Sequence, residues 1–419
     1  MKDRYVTFRQ IKPNVIHYNL RNLRQLIFEV TDACNLNCTY CTYSELYTTH
    51  DCRLGKSMDF DQAKTIIDYL SDIWRTHNSP AFPMRLFVGF YGGEPLLNFS
   101  LIKEIIAYIE KQGGIGKTLC YTMTTNGLLL DKYIDFLVEK DFSLLISLDG
   151  DEYAQGFRID KQGNNSFERV YKNVKHIQKC KPHFFEKRVN FSTVLHSRNN
   201  IGSIFDFFYQ HFSKIPIITQ LSSMGVNKEN ANIFHDIFNS YLDSFQKANN
   251  RQTIENKQFM MSPELRVFYH DFEQNSGNIF DDYFALLFDR EKIGAIPTGT
   301  CTPFAKKMFV SVNGKILQCE RIGHDHFLGM IQNGKVELNV ETIANLYNEH
   351  VYTYINQCKS CAFDAFCPKC IYQSDDFHKG DHLCSEYFGK KGYTELNMDT
   401  LRTHPNLLAK IIHELKVVK

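Results

Sequence analysis

Nowhere in this 419-residue chain do about eighteen apolar residues run together, which excludes a single hydrophobic membrane-spanning helix. The amino terminus, Met1-Lys2-Asp3-Arg4-Tyr5, lacks the apolar core that a signal peptide needs. A surplus of charge is missing too. Lys and Arg total 48 against 47 Asp and Glu, so no broad basic surface invites nucleic acid or an anionic membrane. Internal repeats, low-complexity tracts and long Gly/Ser linkers are also missing. What is left is the expectation of a cytoplasmic globular protein, with hydrophobic residues at 43% and charged residues at 23% and room for roughly two or three domains.

Cysteine is not lacking. The cytoplasm is reducing, and there grouped cysteines mean metal more often than disulfide. Of the 13 cysteines, Cys52, Cys120 and Cys180 are scattered and read as small buried apolar residues. The other ten fall in groups. Cys34, Cys38 and Cys41 lie within eight positions, just after the apolar run Leu26-Ile27-Phe28-Glu29-Val30. That run reads as a β-strand, so the three thiols share a loop at a strand's C-terminal end. Three thiolates can bind three irons of a four-iron cluster, leaving one iron open. A structural zinc site would want four protein ligands, and a disulfide an even number of cysteines.

Beyond the loop the pattern alternates. Asp59 to Arg75 has helical spacing, with Asp59 or Asp61 placed to cap it. Strand-like runs at 86–91, 119–124, 144–148, 189–195 and 215–221 alternate with helical segments at 100–111, 131–139, 166–179 and 201–212. Counting the first, six strands separated by helices call for parallel right-handed βαβ units. They are too few for a complete barrel, so the expected fold is α/β, an open partial (β/α)6 barrel or a doubly wound sheet. Its ligands should gather at the strands' C-terminal ends. The expected domains are an N-terminal segment over 1–24, the barrel over 25–223, a helical bridge over 224–300, a cysteine-rich domain over 301–390 and an amphipathic helical tail over 391–419.

Three strand endings are polar and carry glycine: Tyr91-Gly92-Gly93-Glu94-Pro95, Thr124-Thr125-Asn126-Gly127 and Ser147-Leu148-Asp149-Gly150. Glycine pairs let backbone approach a ligand closely. In the last third, Phe309 to Cys319 reads as a hairpin with an Asn313-Gly314 turn. Then come Cys358-x2-Cys361-x5-Cys367-x2-Cys370 and Cys384. Taken alone, these paired cysteines are also compatible with a zinc ribbon.

The spacing of Cys34, Cys38 and Cys41, Tyr40 before the third cysteine, and Gly92-Gly93-Glu94-Pro95 resemble the radical S-adenosylmethionine superfamily. The resemblance implies that the open iron is chelated by the amino and carboxylate groups of S-adenosylmethionine. It implies that Gly92, Gly93 and Glu94 line the amino end, Thr122 and Ser147 the ribose or carboxylate, and Arg158 the carboxylate, with Tyr40 and Tyr43 also at the cofactor. The chemistry implied is one-electron cleavage of the sulfonium by an external donor of flavodoxin or ferredoxin type, giving a 5′-deoxyadenosyl radical that abstracts a substrate hydrogen.

The carboxyl-terminal cysteines resemble the SPASM extension of peptide-modifying radical enzymes, in which two auxiliary four-iron clusters make three in all. By that likeness Cys358, Cys361, Cys367 and Cys384 hold the outer cluster and Cys301, Cys319 and Cys370 the inner one. Fully ligated members have a further cysteine where Ala295 stands, so the inner cluster is expected to keep an open iron. In sulfatase maturases an Asp follows the cysteine matching Cys319 and acts as a base; here it is Glu320, whose plainer reading is an ion pair with Arg321 or a lysine.

Ala295 and Glu320 favour a maturase that builds a thioether or carbon–carbon crosslink in a ribosomally made precursor peptide. A formylglycine-generating sulfatase-maturase-like enzyme is the alternative, and a zinc-stabilised binding protein the remote one. Only about 25 residues precede the first strand, so the leader of the precursor is expected to be gripped by a separate protein, by the barrel or by an exposed sheet edge. His324 and His326 lie in a polar turn and read as solvated.

Overall fold

The structure is a computed structural model and describes residues 8–76, 85–112, 116–257, 296–363, 367, 369–374, 377, 380, 383, 384, 387–389, 399, 402 and 403. Ala295, much of the expected bridge and most of the amphipathic tail lie outside the described residues. The chain divides into two compact units, one of Lys12–Ser244 with Cys301–Ile343, the other of Met1–Ile11, Phe245–Thr300 and Ala344–Lys419.

The first unit is an α/β partial barrel. Its strands β1 (Gln25–Thr31), β2 (Arg85–Gly92), β3 (Thr118–Thr125), β4 (Ser143–Ser147), β5 (Val189–Leu195) and β6 (Ile217–Gln220) pair in parallel in that order. Helices α2 (Phe60–Thr76), α3 (Phe99–Lys111), α4 (Leu130–Glu139), α5 (Phe167–Cys180) and α7 (Ile201–Phe212) fall between them, with a short α6 (Pro182–Arg188) before β5. The six-strand expectation and most boundaries hold within one or two residues, because each helix has one apolar stripe to bury. In α2 that stripe is Ala63, Ile66, Ile67, Leu70 and Trp74. Of the two capping candidates Asp59 is used, its Oδ1 accepting from the Gln62 amide at 2.7 Å.

Three features were not foreseen. A helix α1 (Pro13–Arg21) precedes β1, and Trp74 Nε1 donates to its Leu20 carbonyl at 2.9 Å. The expected hairpin is present as β7 (Met308–Val310) and β8 (Lys315–Leu317), with Gly314 at φ +79° in its turn. Yet β7 also pairs in parallel with β1, and a second hairpin, β9 (Gly329–Gln332) and β10 (Lys335–Glu337), extends the sheet to ten strands in the order β10-β9-β8-β7-β1-β2-β3-β4-β5-β6. The second hairpin turns at Asn333-Gly334, where both residues have positive φ, 50° and 70°. That is the demand of a type I′ turn.

Part of the expected bridge is described, as α8 (Ala231–Ile237), α9 (Tyr241–Gln246) and α10 (Arg251–Lys257). In the second unit, α11 (Val340–Tyr352) supplies Tyr347, whose hydroxyl donates to the Thr300 carbonyl at 2.7 Å, and Asn348, which exchanges two 2.9 Å hydrogen bonds with the backbone of Ile11. A short α12 (Ile355–Cys358) leads into the cysteine group. Two scattered cysteines depart from expectation: Cys52 and Cys180 are exposed rather than buried, and Cys120 is half-buried. Cys180 ends an amphipathic helix on its solvent face, which composition alone does not reveal. No helix among the described residues is long and apolar enough to cross a membrane.

Candidate active site

The cysteine loop begins where β1 stops and is held from below by segment 157–160. The Asn37 amide donates to the Ile159 carbonyl at 2.7 Å, the Thr39 amide to the Phe157 carbonyl at 3.0 Å, and Leu36 bridges to Asp160. Cys34, Cys38 and Cys41 thereby line one cavity at the C-terminal ends of β1 to β4. Tyr43, Arg53, Tyr91, Gly92, Gly93, Thr124, Thr125, Asn126, Ser147 and Arg158 share it. The Leu36 amide donates to Cys34 Sγ at 3.4 Å, and Asn126 Nδ2 lies 3.9 Å from the same sulfur. Burial pushes the Cys34 and Cys38 thiols up, Cys38 to about 12, and neighbouring sulfurs add to that, Cys41 acting on Cys34 and both Cys41 and Cys34 on Cys38. Thiols so placed need a cationic partner to become thiolates.

Both glycines are required by space. A Cβ on Gly92, whose φ is +148°, would come within 2.1 Å of the Thr31 carbonyl oxygen, and one on Gly93 within 2.1 Å of the Ala33 carbonyl oxygen. The Gly93 amide donates to Thr31 at 2.9 Å and the Glu94 amide to Ala33 at 2.9 Å, so the end of β2 is laced to the loop. Glu94 does not line the cavity. Its fully buried carboxylate accepts from the Thr125 hydroxyl at 2.8 Å, the Asn126 amide at 2.8 Å and the Leu96 amide at 3.1 Å. Burial raises it to about 7 against those donors. Glu94 thus fixes the end of β3 behind the glycines.

Of the remaining expected cofactor residues, Tyr43, Ser147 and Arg158 line the cavity, while Thr122 and Tyr40 do not. Thr122 sits on the same strand as the lining Thr124, two residues nearer its start. Tyr40 is buried below the loop with its hydroxyl on Asp149 and its ring 5.6 Å from that of His196.

Asp149 is a residue whose role the sequence did not disclose. Fully buried, it takes Arg158 Nε at 2.9 Å and Nη2 at 3.2 Å, the Val194 amide at 2.9 Å, and lies 3.5 Å from His196 Nε2. Burial pushes its carboxyl up, but Arg158 and His196 outweigh that and hold it at about 2. Arg158 is therefore not a solvated charge but one half of an interior ion pair.

Arg53 was also missed. Its only sequence signal is that it is the first basic residue after the cysteine loop. His324 corrects an expectation: instead of being solvated it is 2% exposed, its Nδ1 accepting from the Asp51 amide at 3.3 Å and its ring 4.9 Å from that of His50. Folding the second hairpin brings that turn back over the loop region, so a polar sequence is enclosed.

Glu320 pairs with Lys307, whose Nζ reaches both carboxylate oxygens at 2.9 and 3.0 Å, with Arg321 farther away at 3.9 Å. Burial pushes the carboxyl up, yet Lys307 holds it below the usual range. Cys301 and Cys319 belong to this unit and Cys370 to the other. In that other unit Cys358 feels the charges of Cys367, Cys361 and Cys384, and burial raises it to about 11. The Cys384 amide donates to Gln357 Oε1 at 2.7 Å.

A three-thiol cavity at the rim of a six-stranded parallel half-barrel defines a class. Residues 28–202 match the model of the Radical SAM superfamily and form a radical SAM domain, a domain that implies S-adenosylmethionine and a [4Fe-4S] cluster. A cysteine-type anaerobic sulfatase-maturating enzyme of Clostridium novyi is 24% identical over 404 residues, 91% of this chain and 97% of that one. A radical SAM cyclopropyl synthase of Paramaledivibacter caminithermalis is 22% identical, covering 70% of this chain and 65% of its own length. An uncharacterized protein of Methanocaldococcus jannaschii is 35% identical over 145 residues, which span 45% of that protein. The solved structure of anSMEcpe with bound AdoMet shares the fold at a TM-score of 0.60 and 17% identity, over 94% of this chain and 96% of that one.

Proposed function

We propose that the chain modifies a peptide: it abstracts hydrogen from a ribosomally made precursor and leaves a thioether or carbon–carbon crosslink. The observation that carries the radical chemistry is the convergence of Cys34, Cys38 and Cys41 with two guanidinium groups, Arg53 and Arg158, in one cavity. Three soft sulfur donors with two cations lining the same cavity fit a cluster with one open iron. The bound cluster and S-adenosylmethionine supply the one-electron chemistry. An external donor of flavodoxin or ferredoxin type delivers the electron.

The chain's own residues bind and orient. Gly92 and Gly93, where a Cβ would strike the Thr31 and Ala33 carbonyls, would present backbone to the cofactor's amino end. Ser147, Tyr43 and Arg158 face the rest of the cofactor, and the Asp149 pair fixes the Arg158 fork in one direction. Thr122, Tyr40 and Glu94 support those contacts from behind. Glu320, kept ionised by Lys307, is the candidate proton acceptor; burial and then the Glu320 charge push the Tyr91 hydroxyl up. Cys358, Cys361, Cys367 and Cys384 are the candidate ligands of an auxiliary cluster.

A peptide substrate is supported by the relatives, since the anSMEcpe fold has been solved with a bound Cp18Cys peptide. Glutamate in place of aspartate after Cys319 favours a crosslink. The full-length likeness to a sulfatase maturase favours a second outcome, oxidation of a Cys or Ser side chain to an aldehyde. The test is anaerobic reconstitution with iron and sulfide, then S-adenosylmethionine, dithionite and a Cys-bearing precursor peptide. Loss of two hydrogens inside one peptide with 5′-deoxyadenosine formed is expected; an aldehyde product selects the second reading. A preparation that binds zinc alone rejects both.

A further inference from the structure

Two guanidinium groups face the three-thiol cavity, and their charges are in opposite states. Arg158 is neutralised by the two-point contact with Asp149 at 2.9 and 3.2 Å. Arg53 is not neutralised. Its guanidinium carbon lies 4.2 Å from the centroid of the Tyr43 ring, its Nε is buried without a hydrogen-bond partner, and no carboxylate among the described residues pairs with it. Glu29 is the carboxyl group that contributes to its electrostatics, but one Glu29 oxygen accepts from the Val312 amide at 2.9 Å, and burial raises Glu29 to about 7. A guanidinium cannot shed its proton in a protein. A buried, unpaired cation is costly, and a cation–π contact offsets only part of that.

The missing anion is identified by what Arg53 faces. Among the three thiols, Cys41 and then Cys34 dominate the field at Arg53, whereas Cys38 is the one most influenced by Arg158. Both cations line the cavity that holds the three sulfurs, and the uncompensated one is coupled most to Cys41 and Cys34. We propose that Arg53 is the charge-compensating residue of the iron–sulfur cluster held by that loop, selectively stabilising its reduced, more negative state and so raising its reduction potential.

This inference rests on the reading of Cys34, Cys38 and Cys41 as cluster ligands. One electron enters from the external low-potential donor and makes the cluster more negative by one unit, while Arg53 keeps its proton and all its bonds. Arg53 acts through its field alone, as preorganised charge in a water-poor site does. The contact with the Tyr43 ring, 4.2 Å to its centroid, keeps that charge in place, a role that a flexible, strongly hydrated lysine performs less well.

The experiment is a potentiometric titration, followed by electron paramagnetic resonance, of reconstituted wild-type enzyme and the Arg53→Met, Arg53→Gln and Arg53→Lys variants, with S-adenosylmethionine binding measured on the same samples. Arg53→Met and Arg53→Gln at wild-type iron content are expected to disfavour reduction about tenfold, a midpoint about 59 mV more negative for one electron. Arg53→Lys is expected to recover most of that shift. Affinity for S-adenosylmethionine is expected to change less than the potential. A loaded Arg53→Met or Arg53→Gln enzyme with the wild-type midpoint overturns the proposal. So does an Arg53→Lys midpoint as low as that of Arg53→Met, because charge would then not be the property that matters. Weakened S-adenosylmethionine binding at an unchanged midpoint overturns it in favour of a carboxylate anchor. Wild-type protein that holds no iron at the loop rejects the cluster reading itself, and the inference with it.

Discussion

Arg158 and Asp149 form a two-point ion pair in the interior of the barrel, Nε to Oδ2 at 2.9 Å and Nη2 to Oδ1 at 3.2 Å, with Asp149 wholly buried. A pair of this kind is costly to break one-sidedly, because the surviving charge stays buried. Asp149→Asn is expected to lower the stability of the ligand-free protein by about 3–5 kcal/mol in urea unfolding. The double change Asp149→Asn with Arg158→Met should recover part of that loss. Since Asp149 is held at about 2, below the ordinary value of about 3.9, its contribution is fully present above the ordinary value and lost as pH falls through the lower one. A single substitution costing under about 1 kcal/mol would show the pair to be dispensable.

Glu29 predicts the opposite pH slope. Burial raises its carboxyl to about 7, so the folded protein binds its proton more tightly than the unfolded chain does. The associated stability is complete below about 4.3 and declines as pH rises toward the folded value. Glu29→Gln cannot titrate. Chemical unfolding of the ligand-free protein at the two ends of that window should show the wild type losing on the order of 2 kcal/mol more than the variant. Equal losses would remove Glu29 as the cause.

Gly93→Ala tests the close approach of β2 to the cysteine loop. The added methyl would sit 2.1 Å from the Ala33 carbonyl oxygen and 2.7 Å from that of Asp32. Since backbone must move, a stability loss of about 1–3 kcal/mol is expected, together with loss of S-adenosylmethionine binding in equilibrium dialysis. Wild-type binding at wild-type stability would mean that the two strands part at no cost.

The carboxyl-terminal thiols make a separable prediction. Cys384→Ala should reduce iron by about four atoms per chain if it ligates a four-iron cluster. Cleavage of S-adenosylmethionine without peptide should persist, because Cys34, Cys38 and Cys41 belong to the other unit. Iron analysis and chromatography of 5′-deoxyadenosine read the two arms. Unchanged iron would remove Cys384 from the ligand set.

Much of this architecture is local information. The apolar stripes of α2, α3 and α7, the alternation in β5 and the Asn313-Gly314 turn are dictated by neighbouring residues, so the sequence determined six strands alternating with helices and the loop bearing Cys34, Cys38 and Cys41. It also determined that Gly92-Gly93-Glu94 follows a strand end. Tertiary structure decided what pairs with what. That β7 joins β1 at the pairing of Phe309 with Ile27, 282 residues apart, that Glu94 turns away to hold β3, that Arg158 is neutralised by Asp149 while Arg53 has no carboxylate partner among the described residues, and that His324 is enclosed are consequences of packing between distant segments. Charge is where the distinction is sharpest. Sequence shows that two arginines are present, but whether each is solvated, paired or waiting for an anion depends on the burial and the partners that only the folded chain supplies.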